Sequence, residues 1–377
     1  MIIRNAYVLL FEENGFVKKD ICFEDGKIKQ VADKIDGEYY IDATGKYITP
    51  GLIDAHSHIG ICEEAIGWEG DDTCEYGNAV SPQLRAIDAI NPFDIAFKEA
   101  LRGGVTTVCT GPGSANVVAG TFATIKLKGN VIDEMIIDER AAMKCAFGEN
   151  PRAFGKSGKE PYTRMGVAAL LRKTLNDAMN YKAKKEDAEK NNKYFEKDLQ
   201  MENMLLVING DIPIKAHVHR ADDICTAIRI AKEYNIGLTL DHCTEGHLIV
   251  DYLKKFDYPT IIGPSYGPKT KIETKNKTFQ TAKILWDAGL KVCITTDHNV
   301  HPQESLILFA AMAAKEGLDE IEALKAITIN PAEVLRIHER KGQIKKGLDA
   351  DLVIWDSHPL DFMAKVEKVF IEGQEAF

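Results

Sequence analysis

The first fifty residues alternate apolar and polar positions in short runs. MIIRNAYVLL, DICFEDGKIKQVA and EYYIDATGKYITP each read as strands, punctuated by Gly-containing turns. The same pattern returns at the far end, where GLDADLVIWD and KVEKVFIEGQEAF are strand–turn sequences. Two strand-rich ends around a long middle predict a small β-sandwich domain built from both chain termini, residues 1–50 and 338–377.

Over residues 51–337 the period changes. Short apolar, β-branched runs recur: YITPGLIDAHSH, GVTTVCTG, AAMKCAFG, IPIKAHVH, IGLTLDHC, TIIGPS and LKVCITTDHN. Helical patterns such as PFDIAFKEALRGG, ADDICTAIRIAKEYN, FQTAKILWDAG and SLILFAAMAAKEG lie between them. This alternation predicts parallel strands with helical crossovers. Seven strand candidates in that span fit a closed barrel better than an open sheet, so the expected class is α/β with a (β/α)8 TIM-like barrel. TFATIKLKG and VIDEMIIDE read as a hairpin inserted between residues 110 and 210. From about Leu171 to Leu205 the pattern is one long, highly charged helix, either a solvated face or a lid or oligomer contact.

Composition narrows the partners. The chain has 377 residues, 45% hydrophobic and 28% charged, as ordinary globular proteins do. A net charge of −10 does not suit nucleic acid or anionic membranes, which need clustered Lys and Arg. MIIRNAYVLLFEENG lacks the cationic start, long apolar core and cleavage site of a signal peptide. No run approaches the roughly 18 apolar residues that a membrane span requires. The eight cysteines form no CxxC pair and are expected to be reduced thiols in a cytoplasmic protein. A homodimer or higher homo-oligomer is the expected state.

Candidate chemistry starts at IDAHSH. His56 and His58 are two residues apart at the end of an apolar strand, so their side chains point to the same side and can grip one cation. Three further candidates also close strands: His217 after IPIKA, His242 after IGLTLD, and Asp297 after LKVCITT. The spacings fit barrel arithmetic, and catalytic residues in barrels come from the C-terminal ends of several strands. Imidazole and carboxylate donors suit zinc and similar divalent ions.

With these motifs the chain resembles the amidohydrolase superfamily over essentially its whole length. PGLIDAHSH is similar to that family's first-strand motif, TTDHN to its eighth-strand Asp motif, and NPAEVLRI…KGQIKKGLDADLVIWD to its closing segment. IKAHVHRADDI resembles the fifth-strand segment of the branch related to imidazolonepropionases and metal-dependent dipeptidases. GPGSANVVAG and MKCAFGENPR resemble stretches of a little-characterised bacterial group in that branch. The resemblance implies that His56, His58, His217, His242 and Asp297 are metal-centre residues for one or two ions, most simply zinc. It implies a small-molecule amide or cyclic amide as substrate. A divalent ion lowers the pKa of its water towards about 7, and Asp297 would be the proton shuttle.

Several positions keep two readings. His219 lies two residues after His217 and on the same strand face, as a substrate or oxyanion contact, a second metal-site residue, or a packed histidine. His298 follows Asp297 directly and reads as structural. Relatives with two metals bridge them with a carboxylated lysine, for which Lys144 is the candidate; the alternative is a snorkelling lysine or a salt bridge to Glu149. Deaminases of the superfamily carry a Glu where this chain has Arg220, which weakens a deaminase reading. Arg220 would either clamp a substrate carboxylate or pair with Asp222 or Asp223. GPGSANVVAG is not a nucleotide loop and is expected to line the substrate pocket. Glu63, Glu64, Glu69, Asp71 and Asp72 read as a solvated loop or as contacts to a cationic group. A catalytically inactive binding protein on the same fold would be expected to lack some of the five metal-centre residues, and all are present.

Overall fold

The computed structural model describes residues 1–156 and 158–377 and builds two eight-stranded sheets. The chain enters the first with β1 (Ile2–Leu10), β2 (Gly15–Glu24), β3 (Lys27–Ala32), β4 (Tyr40–Asp42) and β5 (Tyr47–Pro50). It then forms the second with β6 (Leu52–Ser57), β7 (Val105–Thr110), β8 (Val118–Lys126), β9 (Ile136–Ala146), β10 (Ile214–Val218), β11 (Leu238–His242), β12 (Thr260–Ile262) and β13 (Val292–Ile294). It returns to the first with β14 (Leu352–Trp355), β15 (Val366–Ile371) and β16 (Gln374–Glu375).

Strand order in the terminal sheet is β16-β15-β14-β5-β1-β2-β3, with β4 also paired to β1. The sheet curls until its far turns meet: the Ala350 amide donates to Gly26 in the β2–β3 turn, and the Gly373 amide donates to Ala350. Inside the curl sit Ile3, Ala6, Val8, Ile21, Phe23 and Ile48. The alternation in β14 explains how this unit is fixed to the barrel. Leu352 and Ile354 face the terminal core, whereas Val353 and Trp355 face the barrel core. A strand buried on both faces must be apolar throughout, as LVIW is.

The barrel wall runs β6-β7-β8-β9-β10-β11-β12-β13. All seven strands expected from the apolar runs are present. The eighth is β8, which is antiparallel to both β7 and β9. The expected hairpin is therefore part of the wall rather than an insertion beside it. Only residues 111–117 join β7 to β8, too few for a parallel crossover of about a dozen residues. Elsewhere the pairs are parallel. The wall closes between β13 and β6 largely through side chains. Thr295 Oγ1 donates to the His56 carbonyl at 2.6 Å, and Thr296 donates from both N and Oγ1 to Asp54 Oδ2 at 3.1 Å.

The expected helix over 171–205 is two helices, Arg164–Lys190 and Leu199–Ile208. The break follows Asn191, and the Asp198 carboxylate caps the second helix by accepting from the Gln200 and Met201 amides. Tyr181 and Lys185 of the first helix donate to Glu202 of the second, joining them as a hairpin. Val167, Leu171, Leu175 and Ala178 are buried, so one side of the charged pattern packs and only the rest is solvated. No helix among the described residues is long and apolar enough to cross a membrane.

Candidate metal centre

The C-terminal ends of the strands open into one cavity of about 500 Å³, lined by His58, Lys144, His217, His219, His242 and Asp297. His56 is fully buried beneath it. Strand alternation delivers these groups. His56 and His58 project together from the end of β6, and Lys215, His217 and His219 from β10 and the residue pair after it. His242 and Asp297 reach inward differently. Their backbones turn left-handed, with φ of 68° and 55°, at the points where β11 ends and just beyond β13. Non-glycine residues adopt that conformation at a cost, and such residues gather at functional sites.

Two groups of donor atoms result, each with its atoms within 4.8 Å of one another: His56, His58 and Asp297, and His217, His219 and His242. Asp297 Oδ1 lies 3.3 Å from His56 Nε2 and 3.5 Å from His58 Nε2. His219 therefore joins the histidines of β10 and β11 instead of standing apart as a packed ring.

The imidazoles are already oriented. His56 Nδ1 lies 2.8 Å from Asp241 Oδ2, His58 Nδ1 is 2.6 Å from the Gly111 carbonyl, and His242 Nδ1 is 2.7 Å from the Gly263 carbonyl. His219 Nδ1 meets Thr244 Oγ1 at 2.7 Å. Pinning one ring nitrogen in this way fixes the other for coordination. Two glycines make the carbonyl contacts possible: a Cβ at Gly111 would meet the Phe122 ring at 2.4 Å, and one at Gly263, where φ is +137°, would meet the Thr295 carbonyl at 2.1 Å.

Electrostatics favour the ligating forms. Burial, with Lys144 nearby, lowers His56 to about 4, and burial beside His217 lowers His219 to about 3. His217 and His242 are likewise pushed down by burial. At neutral pH these rings are uncharged, the form that binds metal. Burial alone would raise Asp297, but His242, His56 and His58 more than offset it and hold the carboxyl well below its usual range. Asp241 is held down the same way, by Lys215 and His56 against its burial.

Lys144 and Lys215 are neighbours in register on β9 and β10, both buried, with amino groups 5.4 and 5.5 Å from the Phe122 ring centroid. Lys215 pairs with Asp241 at 3.2 Å. Lys144 makes no ion pair with Glu149; its Nζ lies 3.4 Å from His56 Nε2, and burial lowers it to about 8. It is the lysine free for a further role.

Arg220 does not line the cavity. Its guanidinium forks onto the Asp222 carboxylate at 3.0 and 2.9 Å, so the substrate-clamp expectation gives way to the local pair. His298 Nε2 lies 3.1 Å from Glu64 Oε1, which ties one member of the acidic loop to the wall, while Glu69 and Asp72 are exposed. Gly113 and Ser114, from the glycine-rich loop, do line the cavity.

Three participants were not singled out from the sequence. Lys215 had a signal, two residues before His217 on the same face. Asp241 did too, on the inward face of an apolar strand. Glu273 had none: it lies in a short turn, Ile272–Thr274, far past β12, yet it is buried with Oε1 3.7 Å from His217 Nε2 and 3.9 Å from His219 Nε2.

The amidohydrolase family model matches residues 47–376. The chain belongs to the amidohydrolase family. A solved amidohydrolase from Thermotoga maritima superposes with a TM-score of 0.97 at 41% identity, covering all of this chain and 99% of the other. Among curated amidohydrolase relatives, TasK of Hapsidospora irregularis is 29% identical over 95% of this chain, which spans 40% of TasK. The imidazolonepropionase of Treponema denticola is 24% identical over 94% of this chain and 91% of its own. The family is metal-dependent, and the pinned imidazoles and the two donor groups fit a metal.

Proposed function

We propose that the protein is a metal-dependent hydrolase that cleaves an amide or cyclic amide C–N bond in a small molecule. The observation that carries this reading is the convergence of five buried histidines and Asp297 on one site, three of the rings with Nδ1 hydrogen-bonded and His56 Nδ1 2.8 Å from Asp241. His56, His58, His217, His242 and Asp297 would hold one or two divalent ions, and such an ion would acidify water and polarise a carbonyl. Asp297, anionic in this setting, accepts the proton of the attacking water and returns it to the leaving nitrogen. Thr295 steadies it, its Oγ1 accepting from the Asp297 amide at 3.0 Å.

The cavity rim supports a substrate bearing a carboxylate. Lys277 lines it and donates to the neutral carbonyls of Tyr266 at 2.6 Å and Pro268 at 3.3 Å, leaving its charge available. Dipeptides, N-acyl amino acids and carboxylated lactams carry such a group. The deciding experiment is metal analysis followed by turnover of those three classes. Hydrolysis of one class, with KM raised about tenfold in Lys277→Met, supports the reading. Ammonia release from a nucleobase instead would establish a deaminase, and a protein that holds no metal after reconstitution would remove the hydrolase reading.

A further inference from the structure

We propose that Glu273 and His219 are ligands of a second cation, completing with His217 and His242 a closed four-donor site beside the His56–His58–Asp297 group. This rests on the metal-dependent reading above and extends it: the carboxylate of the second site comes from the turn after β12 rather than from a modified Lys144.

Four observations meet at Glu273. Its carboxylate is almost wholly buried, although no strand carries it there. Oε2 is seated by the Glu149 amide at 3.0 Å, and a Cβ at Gly148, where φ is +80°, would meet it at 2.6 Å. Oε1 has no hydrogen-bond partner. That oxygen points at two ring nitrogens, 3.7 Å from His217 Nε2 and 3.9 Å from His219 Nε2. Two donors on one tetrahedral ion, with bonds of about 2.0–2.2 Å, stand roughly 3.4 Å apart. The separations seen, 3.7 and 3.9 Å, are slightly longer than that spacing. A buried acceptor without a donor is costly and asks for an explanation.

Charge points the same way. Asp297 serves the first group, whereas three neutral imidazoles alone would leave a divalent ion uncompensated. Glu273 supplies the missing negative charge, and Lys271, 3.7 Å from the same oxygen, offsets it meanwhile. The His219 ring behaves as a ligand in its second contact as well, since Thr244 holds its Nδ1 and leaves Nε2 towards Glu273.

The consequence is a division of labour. Structural sites are closed by four protein donors, while catalytic sites keep a position for water. The first group, with three donors, keeps that position, and the second does not.

The test is ions per chain by elemental mass spectrometry, after zinc reconstitution and desalting, in wild type, Glu273→Gln, His219→Asn and Lys144→Met. Gln keeps the shape and the acceptor for the Glu149 amide, and circular dichroism verifies that each variant is folded. Two ions in wild type, one in Glu273→Gln and in His219→Asn, and two in Lys144→Met support the proposal. Two ions in Glu273→Gln overturn it, as does one ion in wild type regardless of residue 273. One ion in Lys144→Met with two in Glu273→Gln assigns the bridge to the lysine and also overturns it. No ion in wild type instead removes the metal-dependent reading itself.

Discussion

Two parts of the molecule bury charge, and they do so in opposite ways. Beneath the terminal sheet, Lys341 is almost fully buried between Asp349 and Asp351, and Asp349 also meets Lys27 and Arg340. Glu372 joins through Arg340 and Lys126. Cations and anions there pair off, and none of these carboxylates is left without a partner. At the barrel mouth the pairing fails: histidines crowd two carboxylates, Lys144 is buried without an ion pair among the described residues, and Glu273 Oε1 has no donor. A satisfied buried cluster fixes a structure, whereas an unsatisfied one is tolerated where something else is to be bound.

Substitutions can break this contrast. The largest effect is expected at Asp297. Asp297→Asn should retain the fold and lower kcat by about 10³-fold or more, as removal of a proton shuttle does; steady-state kinetics with unchanged circular dichroism measures it. Activity within a few fold of wild type would remove Asp297 from the chemistry. Next comes Lys341→Met beneath the terminal sheet. It leaves Asp351 without a cation and takes one of three from Asp349, and should lower unfolding free energy by about 3–5 kcal/mol in urea titrations, with kcat per folded molecule unchanged. A smaller loss belongs to Asp241→Asn, which takes away the anionic partner of His56 Nδ1. Metal affinity should fall about 10- to 100-fold, read by competition with a chelator on protein that circular dichroism shows to be folded, and stability should fall too, because the buried Lys215 loses its ion pair.

The smallest effect sharpens the contrast through pH. Burial raises Asp349, but Lys27, Lys341 and Arg340 outweigh it and hold the carboxyl below its usual range. A depressed folded pKa contributes stability that is full above the unfolded value, about 4, and is lost as pH falls through the folded one. Thermal melts between neutral pH and acid should therefore fall steeply below about pH 4, and Asp349→Asn should flatten that limb.

Much of this was legible in the sequence because period and position coincide. The apolar runs ending in His56, His217, His242 and Asp297 are strands whose last residues must face the barrel opening. β14 was readable as a strand but not as a joint between two cores, because alternation gives faces and not their partners. β8 was obscured by its direction: TFATIKLKG has strand composition, but nothing in it marks a wall that reverses. The charged stretch at 171–205 hid its own break, since Asn191 and Asp198 are as polar as their neighbours. Glu273 was invisible for a stronger reason. Its place depends on the path of an irregular segment and on the room left by Gly148, neither of which leaves a period in the chain.

The closure of β13 on β6 joins residues that are 239 positions apart, Thr295 and His56. The β7–β8–β9 meander, by contrast, pairs near neighbours in the chain and needs little loop-closure entropy to form. The His56–His58–Asp297 group spans that distant closure, with two donors on one side and the third on the other. It comes into existence only when the wall is complete. An ion bound there would weigh on the closed form alone and act as a clasp against reopening, with a grip that grows with the logarithm of the ion's concentration.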